Sequence, residues 1–155
     1  MNVLVSVSEK DGLDRFAESL VKMGYTLYCT EGTAKFLERR GIPVKRLSEI
    51  TNLNESEDLK TLHPEVFRRI YNGFFNLIVV NLYRDKVDVG GVALIRAGIK
   101  AGIPVVCYPE DYERVLEDLK CGRDLSWLDL KALIYLISND LELLKRKLYI
   151  SKDTA

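Results

Sequence analysis

The chain has 155 residues, a length typical of one domain with its own hydrophobic core. Acidic and basic residues balance at 23 each, which excludes the net positive charge typical of nucleic-acid-binding proteins. No apolar run reaches the roughly 20 residues that a helix needs to cross a bilayer. We therefore expect a single cytoplasmic domain over residues 1–155, with no nucleic-acid or membrane partner.

The first part of the chain alternates predicted strands and helices. A β-branched run at 3–7 predicts a buried strand, and apolar residues at helical spacing over 13–21 predict a helix that ends at Gly24. A second strand at 25–29 precedes a loop at 30–33 and a helix at 34–40. A turn at Pro43 leads into a short third strand, and residues 49–58 are polar and aperiodic, which predicts a loop.

The second part continues the same alternation. Pro64 marks the start of a helix within residues 60–72, and the nearly unbroken apolar run at 76–82 is typical of a central parallel strand. A helix at 91–101, a strand at 104–107 and a helix at 110–120 follow. The C-terminal pattern predicts one long helix over about 126–147.

Metal ligands are scarce in this sequence. Cys29, Cys107 and Cys121 lie far apart with no CxxC spacing, and His63 is the single histidine. Cys29 and Cys107 each end an apolar run, where a buried cysteine serves as a small hydrophobic residue. The sequence therefore predicts no metal site.

Alternating strands and helices predict an α/β three-layer sandwich with a mainly parallel sheet. In such sheets ligands bind where loops leave the carboxyl ends of strands. Polar segments occur at three of these ends, at 6–10, 30–33 and 81–88. Hydroxyls, a lysine and helix N-termini at one sheet edge are the groups that bind a phosphate.

Each polar residue also has a structural interpretation. Thr33 caps a helix in this view, Asp88 caps the helix that follows it, and Lys100 complements that helix's C-terminal dipole. Lys60 and Tyr83 are then ordinary surface residues. Glu31 argues against a phosphate nearby unless its carboxylate points away. Because these residues converge at one edge of the sheet, a catalytic role is favoured over separate structural roles.

Several segments, in order along the chain, resemble one enzyme family, that of IMP cyclohydrolase. It is half of the bifunctional purine-biosynthesis protein and has the methylglyoxal-synthase-like fold. The resemblance covers residues 2–120 and is most specific at Lys-Thr-Leu-His-Pro and Asp-Val-Gly-Gly. The matching segments are 6–10, 31–35, 60–64, 81–83 and 88–92, with Arg96, Ala97 and Lys100 after them.

The resemblance implies ring closure of formylated aminoimidazole carboxamide ribotide, a purine ribonucleotide precursor, to inosine monophosphate and water, without a cofactor. The catalytic residues it implies are Lys60, Tyr83, Asp88 and Lys100. The substrate-binding residues it implies are Ser6, Ser8, Lys10, Thr30, Gly32, Thr33 and Thr61 for the ribose phosphate, Asn81 for the base, and Gly90, Gly91 and Arg96. The partners we expect are a second copy in a homodimer and a separate transformylase that supplies substrate.

The chain departs from the family pattern at three places. Asp58 stands where the family has a phosphate-side arginine, and Arg68 and Arg69 replace small residues after the His-Pro pair. We hypothesise that one of these arginines restores the lost charge. The segment between Tyr83 and Asp88 is also much shorter than in most family members.

Two other functions fit part of the sequence. A non-catalytic nucleotide- or effector-binding domain of the same fold, like the regulatory domain of carbamoyl phosphate synthetase, explains the loop at 30–35. It gives Lys60, Tyr83, Asp88 and Lys100 no role. Methylglyoxal synthase itself is disfavoured, because its catalytic aspartates and substrate histidine have no convincing counterparts here.

Overall fold

A computed structural model describes residues 1–52 and 61–153. Over these residues the chain alternates strands and helices, as the sequence predicts. The strands are β1 (Asn2–Val7), β2 (Thr26–Cys29), β3 (Lys45–Arg46), β4 (Leu77–Asn81) and β5 (Val105–Val106). The helices are α1 (Leu13–Lys22), α2 (Glu31–Glu38), α3 (Ser48–Thr51), α4 (Pro64–Tyr71), α5 (Val89–Ala101), α6 (Tyr112–Lys120) and α7 (Trp127–Asp153), with a 3₁₀ turn at Pro109–Asp111.

The strands of the described chain form one sheet in the order β3-β2-β1-β4-β5. Each neighbouring pair is parallel, which confirms the predicted α/β class. The chain builds outward from β1 to β3 and then returns to place β4 on the other side of β1. This change of direction makes a crevice at the carboxyl ends of β1 and β4, where α/β proteins bind their ligands.

Successive residues of the central strands point to opposite faces, and each face has its own core. Val3, Val5 and Val7 of β1 pack with α1, α2 and α6, whereas Leu4 packs with α3, α4 and α5 on the other side. The N-terminal part of α7 contributes to both cores. The two cores explain why β4 is apolar along nearly its whole length.

Several element bounds differ from the sequence predictions for local reasons. Helix α2 begins at Glu31, three residues early, because Thr30 adopts the extended backbone of an N-cap. Helix α3 overlaps the start of the segment 49–58, which the sequence predicts as a loop. Helix α7 runs to Asp153, past the expected end near 147, and no glycine or proline follows Trp127 to stop it. No helix in the described part of the chain is long and apolar enough to cross a membrane.

The side-chain amide of Asn81, at the end of β4, joins that strand to the loop after β1. Its Oδ1 accepts hydrogen bonds from the backbone N–H groups of Ser8 and Glu9, at 2.7 and 2.9 Å, and from the Ser8 hydroxyl at 3.1 Å. Its Nδ2 donates to the Glu9 carbonyl at 2.8 Å. The side chain is buried, so these bonds replace water and fix the loop at the crevice.

Replacing this amide tests its structural role. We expect Asn81→Leu to lower the free energy of unfolding by about 3 kcal/mol or more, because it leaves several backbone groups without partners at about 1–3 kcal/mol each. The matched control is Asn72→Leu, since Asn72 is exposed and its side chain accepts one local hydrogen bond. Urea unfolding of both variants measures the difference. Equal, small losses would show that Asn81 does not hold the loop.

Candidate active site

A cavity of about 450 Å³ opens at the carboxyl ends of β1, β2 and β4, where the sequence predicts the ligand site. We call it the cleft. Its walls come from the loop after β1, the start of α2, Thr61, and the segment from β4 into α5. The lining residues are Ser6, Val7, Lys10, Thr30, Gly32, Thr33, Thr61, Tyr83, Lys86, Val87, Asp88, Val89, Gly90 and Gly91.

The start of α2 offers backbone donors to the cleft. The first-turn N–H groups of a helix lack acceptors within the helix, and the side chain of the N-cap residue Thr30 does not bond to them. Gly32 has no Cβ, and a Cβ built there would meet no atom within 4 Å. An anion in the cleft can therefore approach these N–H groups closely, with the helix dipole in its favour.

Lys10 is the cation at this end of the cleft. It is half-buried, and its ammonium donates to the backbone carbonyls of Val7 at 2.9 Å and Ser8 at 3.4 Å. Burial lowers the pKa of this ammonium. Among the described residues no carboxylate pairs with it. An anionic ligand would supply the charge partner that the chain itself does not.

Glu31, which argued against a phosphate nearby, is neutralised by its neighbours. Its carboxylate forms ion pairs with Arg46 and, at 3.2 Å, with Lys35. The hydrogen bond from Arg46 is the largest cause of the lowered pKa of this carboxyl. Glu31 does not line the cleft, so its charge is directed to the cations on α2 and β3.

Four hydroxyl or amide side chains predicted to bind substrate are already engaged within the protein. Ser8 donates to Asn81 and to the Leu82 carbonyl, and neither Ser8 nor Asn81 lines the cleft. The Thr33 hydroxyl is buried against the backbone of Val7 at 3.3 Å, and Thr30 donates to Thr33. The predicted contact of Asn81 with the base stays a prediction, although its amide is engaged within the protein. The polar groups of Asn81 and Ser8 hold the β1 and β4 loops together.

At the other end of the cleft, Asp88 is the N-cap of α5. Its Oδ1 accepts from the Gly91 N–H at 2.7 Å, and its Oδ2 accepts from the Tyr83 N–H at 3.3 Å. Asp88 is thus a helix N-cap, as the structural interpretation predicts. This role does not exclude a catalytic role for its carboxylate. Each carboxylate oxygen has a second lone pair, and the residue lines the cleft beside the exposed ring of Tyr83.

The two glycines after Asp88 permit close packing of the chain. A Cβ on Gly90 would collide with the Thr61 hydroxyl, and one on Gly91 would lie 2.5 Å from a Leu82 methyl group. Both glycines line the cleft, as predicted. Their small size brings Thr61 and the start of α5 together at its wall.

Two predicted residues on α5 lie away from the cleft. Lys100 is in the last turn of the helix, with its Nζ 5.7 Å from the ring centroid of Tyr71. At 1.5 Å of rise per residue it lies about 18 Å from Asp88 along the helix, so the two do not meet within one chain. Arg96 is exposed and 3.9 Å from Asp140. Lys60 lies outside the described residues.

Arg68 and Arg69 lie away from the cleft, which counts against the hypothesis that one of them replaces the missing arginine of the phosphate site. Both bind the carboxylate of Glu65 in their own helix, Arg68 through two bonds at 2.7 and 2.8 Å and Arg69 at 2.9 Å. Neither lines the cleft. The Glu65 carboxylate forms ion pairs with both guanidinium groups because it lies one turn away on the same helix.

The sequence prediction missed Lys86. This exposed residue lines the cleft, and its Nζ lies 4.1 Å from the ring centroid of Tyr83. The signal was the length of the connection, because only four residues join Tyr83 to Asp88 and a charge among them has to lie near both. Lys86 thus provides a cation at the end of the cleft where Lys100 was expected.

A second cavity of about 730 Å³ lies on the other side of Tyr83, between that loop, the end of β5 and α7. Tyr83 is the one residue of the predicted set that lines it. An ion pair between Arg84 and Glu9, 2.9 Å long, belongs to its wall. It is larger than the cleft, yet it lacks the helix N-terminus and the unpaired lysine. Among the described residues no group of three His, Cys, Asp or Glu side chains is placed to hold a metal ion.

The chain is similar to known proteins over most of its length. The bifunctional purine biosynthesis protein PurH of Aquifex aeolicus is 37% identical over 85% of this chain, and that of Elusimicrobium minutum is 35% identical over 77%. The chain spans about a third of these curated relatives, 34% and 30% of their lengths.

A solved structure, the crystal structure of ForH, superposes with a TM-score of 0.80 at 25% identity, covering 93% of this chain and 97% of that one. The MGS-like domain model matches residues 12–107. These similarities confirm the predicted methylglyoxal-synthase-like fold and the resemblance to bifunctional purine-biosynthesis proteins. The chain belongs to the family of MGS-like domains.

Proposed function

We propose that this protein is an IMP cyclohydrolase, which closes the purine ring of formylaminoimidazole carboxamide ribotide. One observation carries the proposal. Lys10 and the start of α2, groups that suit an anion, line one end of the cleft, and a carboxylate, a phenol and an ammonium from Asp88, Tyr83 and Lys86 line the other. A substrate that carries a phosphate at one end and a reacting amide at the other needs both sets of groups. The relatives named for purine biosynthesis support it.

The reaction joins the carboxamide nitrogen to the formyl carbon. In the proposed mechanism Asp88 accepts the amide proton as the C–N bond forms, because a neutral amide is a weak nucleophile. The formyl oxygen gains negative charge in this step, and the ammonium of Lys86 and the phenol of Tyr83 stabilise it. Protonation of that oxygen gives a hydroxyl group. The hydroxyl then leaves as water with the proton of the ring nitrogen that came from the formamide, and a C=N bond forms. None of these steps needs a metal or a folate.

Binding at the other end orients the substrate for this chemistry. The N–H groups of α2 and the ammonium of Lys10 hold the phosphate, and the backbone at Gly90 and Gly91 lies along the wall between the two ends. Fixing the phosphate in this way places the reacting atoms against Asp88, which lowers the entropy that the ring closure has to lose.

The first prediction tests catalysis against binding alone. Purified protein mixed with the formylated ribotide, with chelator present and no folate, should show the ultraviolet change of purine formation. Asp88→Asn should lose about 100-fold or more in kcat, since general-base catalysis contributes 10² to 10⁴. Asparagine is also a good N-cap, so the fold should persist.

Calorimetry with inosine monophosphate is the control for Asp88→Asn, and its affinity should stay within a few fold of that of the wild type. A wild-type protein that binds inosine monophosphate tightly but never turns over the ribotide would instead be an effector-binding domain of the same fold.

The second prediction compares the two lysines. Lys86→Met should lower kcat about tenfold or more, about 1.4 kcal/mol of transition-state stabilisation, because it removes the cation beside Tyr83. Lys100→Met removes the same charge from the far end of α5 and should leave kcat nearly unchanged. Steady-state kinetics of both variants measures the change in kcat. Full activity in the Lys86 variant together with a large loss in the Lys100 variant would contradict the placement of the reacting end.

A further inference from the structure

Helix α7 has two apolar stripes, and the part of the chain that the structure describes covers the inner stripe and leaves the outer one exposed. Leu128, Ala132 and Leu136 form the inner stripe and are buried in the two cores. The outer stripe, which we call the seam, is between 47% and 65% exposed at every position. The seam consists of Leu130, Ile134, Ile137, Leu141, Leu144 and Leu148.

The spacing of the seam points to a second helix as its partner. Its residues follow one another at intervals of four, three, four, three and four. This average of 3.5 residues is the heptad period, which keeps one side of a helix facing another helix along its whole length. A stripe that covers a sheet needs no such regularity. The seam runs nearly five turns without a polar residue at any of its positions.

The charges beside the seam favour a second copy of this chain in parallel orientation. Asp140 directly precedes Leu141, and Lys145 directly follows Leu144. In a parallel pair, residues at these flanking positions meet across the interface, so Asp140 of each copy faces Lys145 of the other. In an antiparallel pair with the same apolar contacts, Asp140 would face Asp140 of the second copy, which is repulsive.

Both flanking charges remain available for this contact. The ion pair between Asp140 and Arg96 is long, at 3.9 Å, and both side chains are 60% exposed. Lys145 lies 3.9 Å from Glu142 in its own helix, also on the surface. Exposed pairs of this length contribute little, so exchanging them for contacts across an interface loses little.

We propose that two copies of this protein associate through the α7 seam as a parallel coiled coil, with a two-fold axis along the helix pair. The same surface then serves both partners, as a closed symmetric dimer requires. The proposal rests on α7 alone and does not depend on the activity of the cleft.

The test is the mass in solution. Sedimentation equilibrium should find the wild type as a dimer and Leu141→Glu as a monomer at the same concentration. Tyr149→Glu is the matched control, because Tyr149 is on the same helix, 70% exposed and outside the seam, and this variant should stay dimeric. Circular dichroism should show equal helix content in all three, since Leu141 does not belong to the core. A monomeric wild type, or equal dissociation by both variants, would overturn the proposal.

Cross-linking tests the orientation. In a Cys121→Ser background, which removes the exposed native thiol, Leu130→Cys should give a disulfide-linked dimer under mild oxidation. In an antiparallel pair the two substituted positions would lie about 27 Å apart, from 18 residues at 1.5 Å each, and only a mixture with Leu148→Cys would cross-link. That result would overturn the parallel arrangement. A monomeric wild type that sediments with anionic lipid vesicles would identify the seam as a membrane-surface helix instead.

Discussion

The buried amide of Asn81 fixes the place where the cleft forms. It lies at the carboxyl end of β4, next to β1, where the strand order changes direction. A buried amide has to be hydrogen-bonded, and Asn81 meets that need with the backbone of the loop after β1. The loop in turn holds Lys10 and closes one wall of the cleft. A residue without an evident ligand contact is thus the basis of the proposed phosphate site.

Charges around the cleft follow one pattern, in which local partners remove the groups that would oppose an anion. Glu31 is held by Arg46 and Lys35, whereas Lys10 has backbone carbonyls as its partners. Arg68 and Arg69, which would attract an anion, form ion pairs with Glu65 instead and do not line the cleft. The cations that remain in the lining are Lys10 at one end and Lys86 at the other. In the proposed function, Lys10 belongs to the phosphate end and Lys86 to the reacting end.

Sequence reasoning succeeded where the period of the pattern or a backbone constraint decides the structure. For this reason the sequence predicts the buried strand β4 from its apolar run, and the start of α4 from Pro64. It also predicts close packing at the glycines after Asp88. It did not predict the contacts of polar residues that have several possible hydrogen-bond or charge partners. Asn81 is buried and Lys100 lies away from the cleft. Matching motifs could not show this, because they give order along the chain and not distance along a helix. Lys86 was missed because the short connection between Tyr83 and Asp88 was interpreted only as a departure from the family pattern.

The most direct test of the proposed function is to locate the cavity that binds inosine monophosphate. Backbone amide signals of the protein can be followed by nuclear magnetic resonance during a titration with inosine monophosphate. The account predicts the largest shifts at Gly32, Thr33, Gly90 and Gly91, on the two sides of the cleft. Shifts confined to Tyr108, Ser138 and Asn139, around the second cavity, would contradict it and place the ligand beside α7.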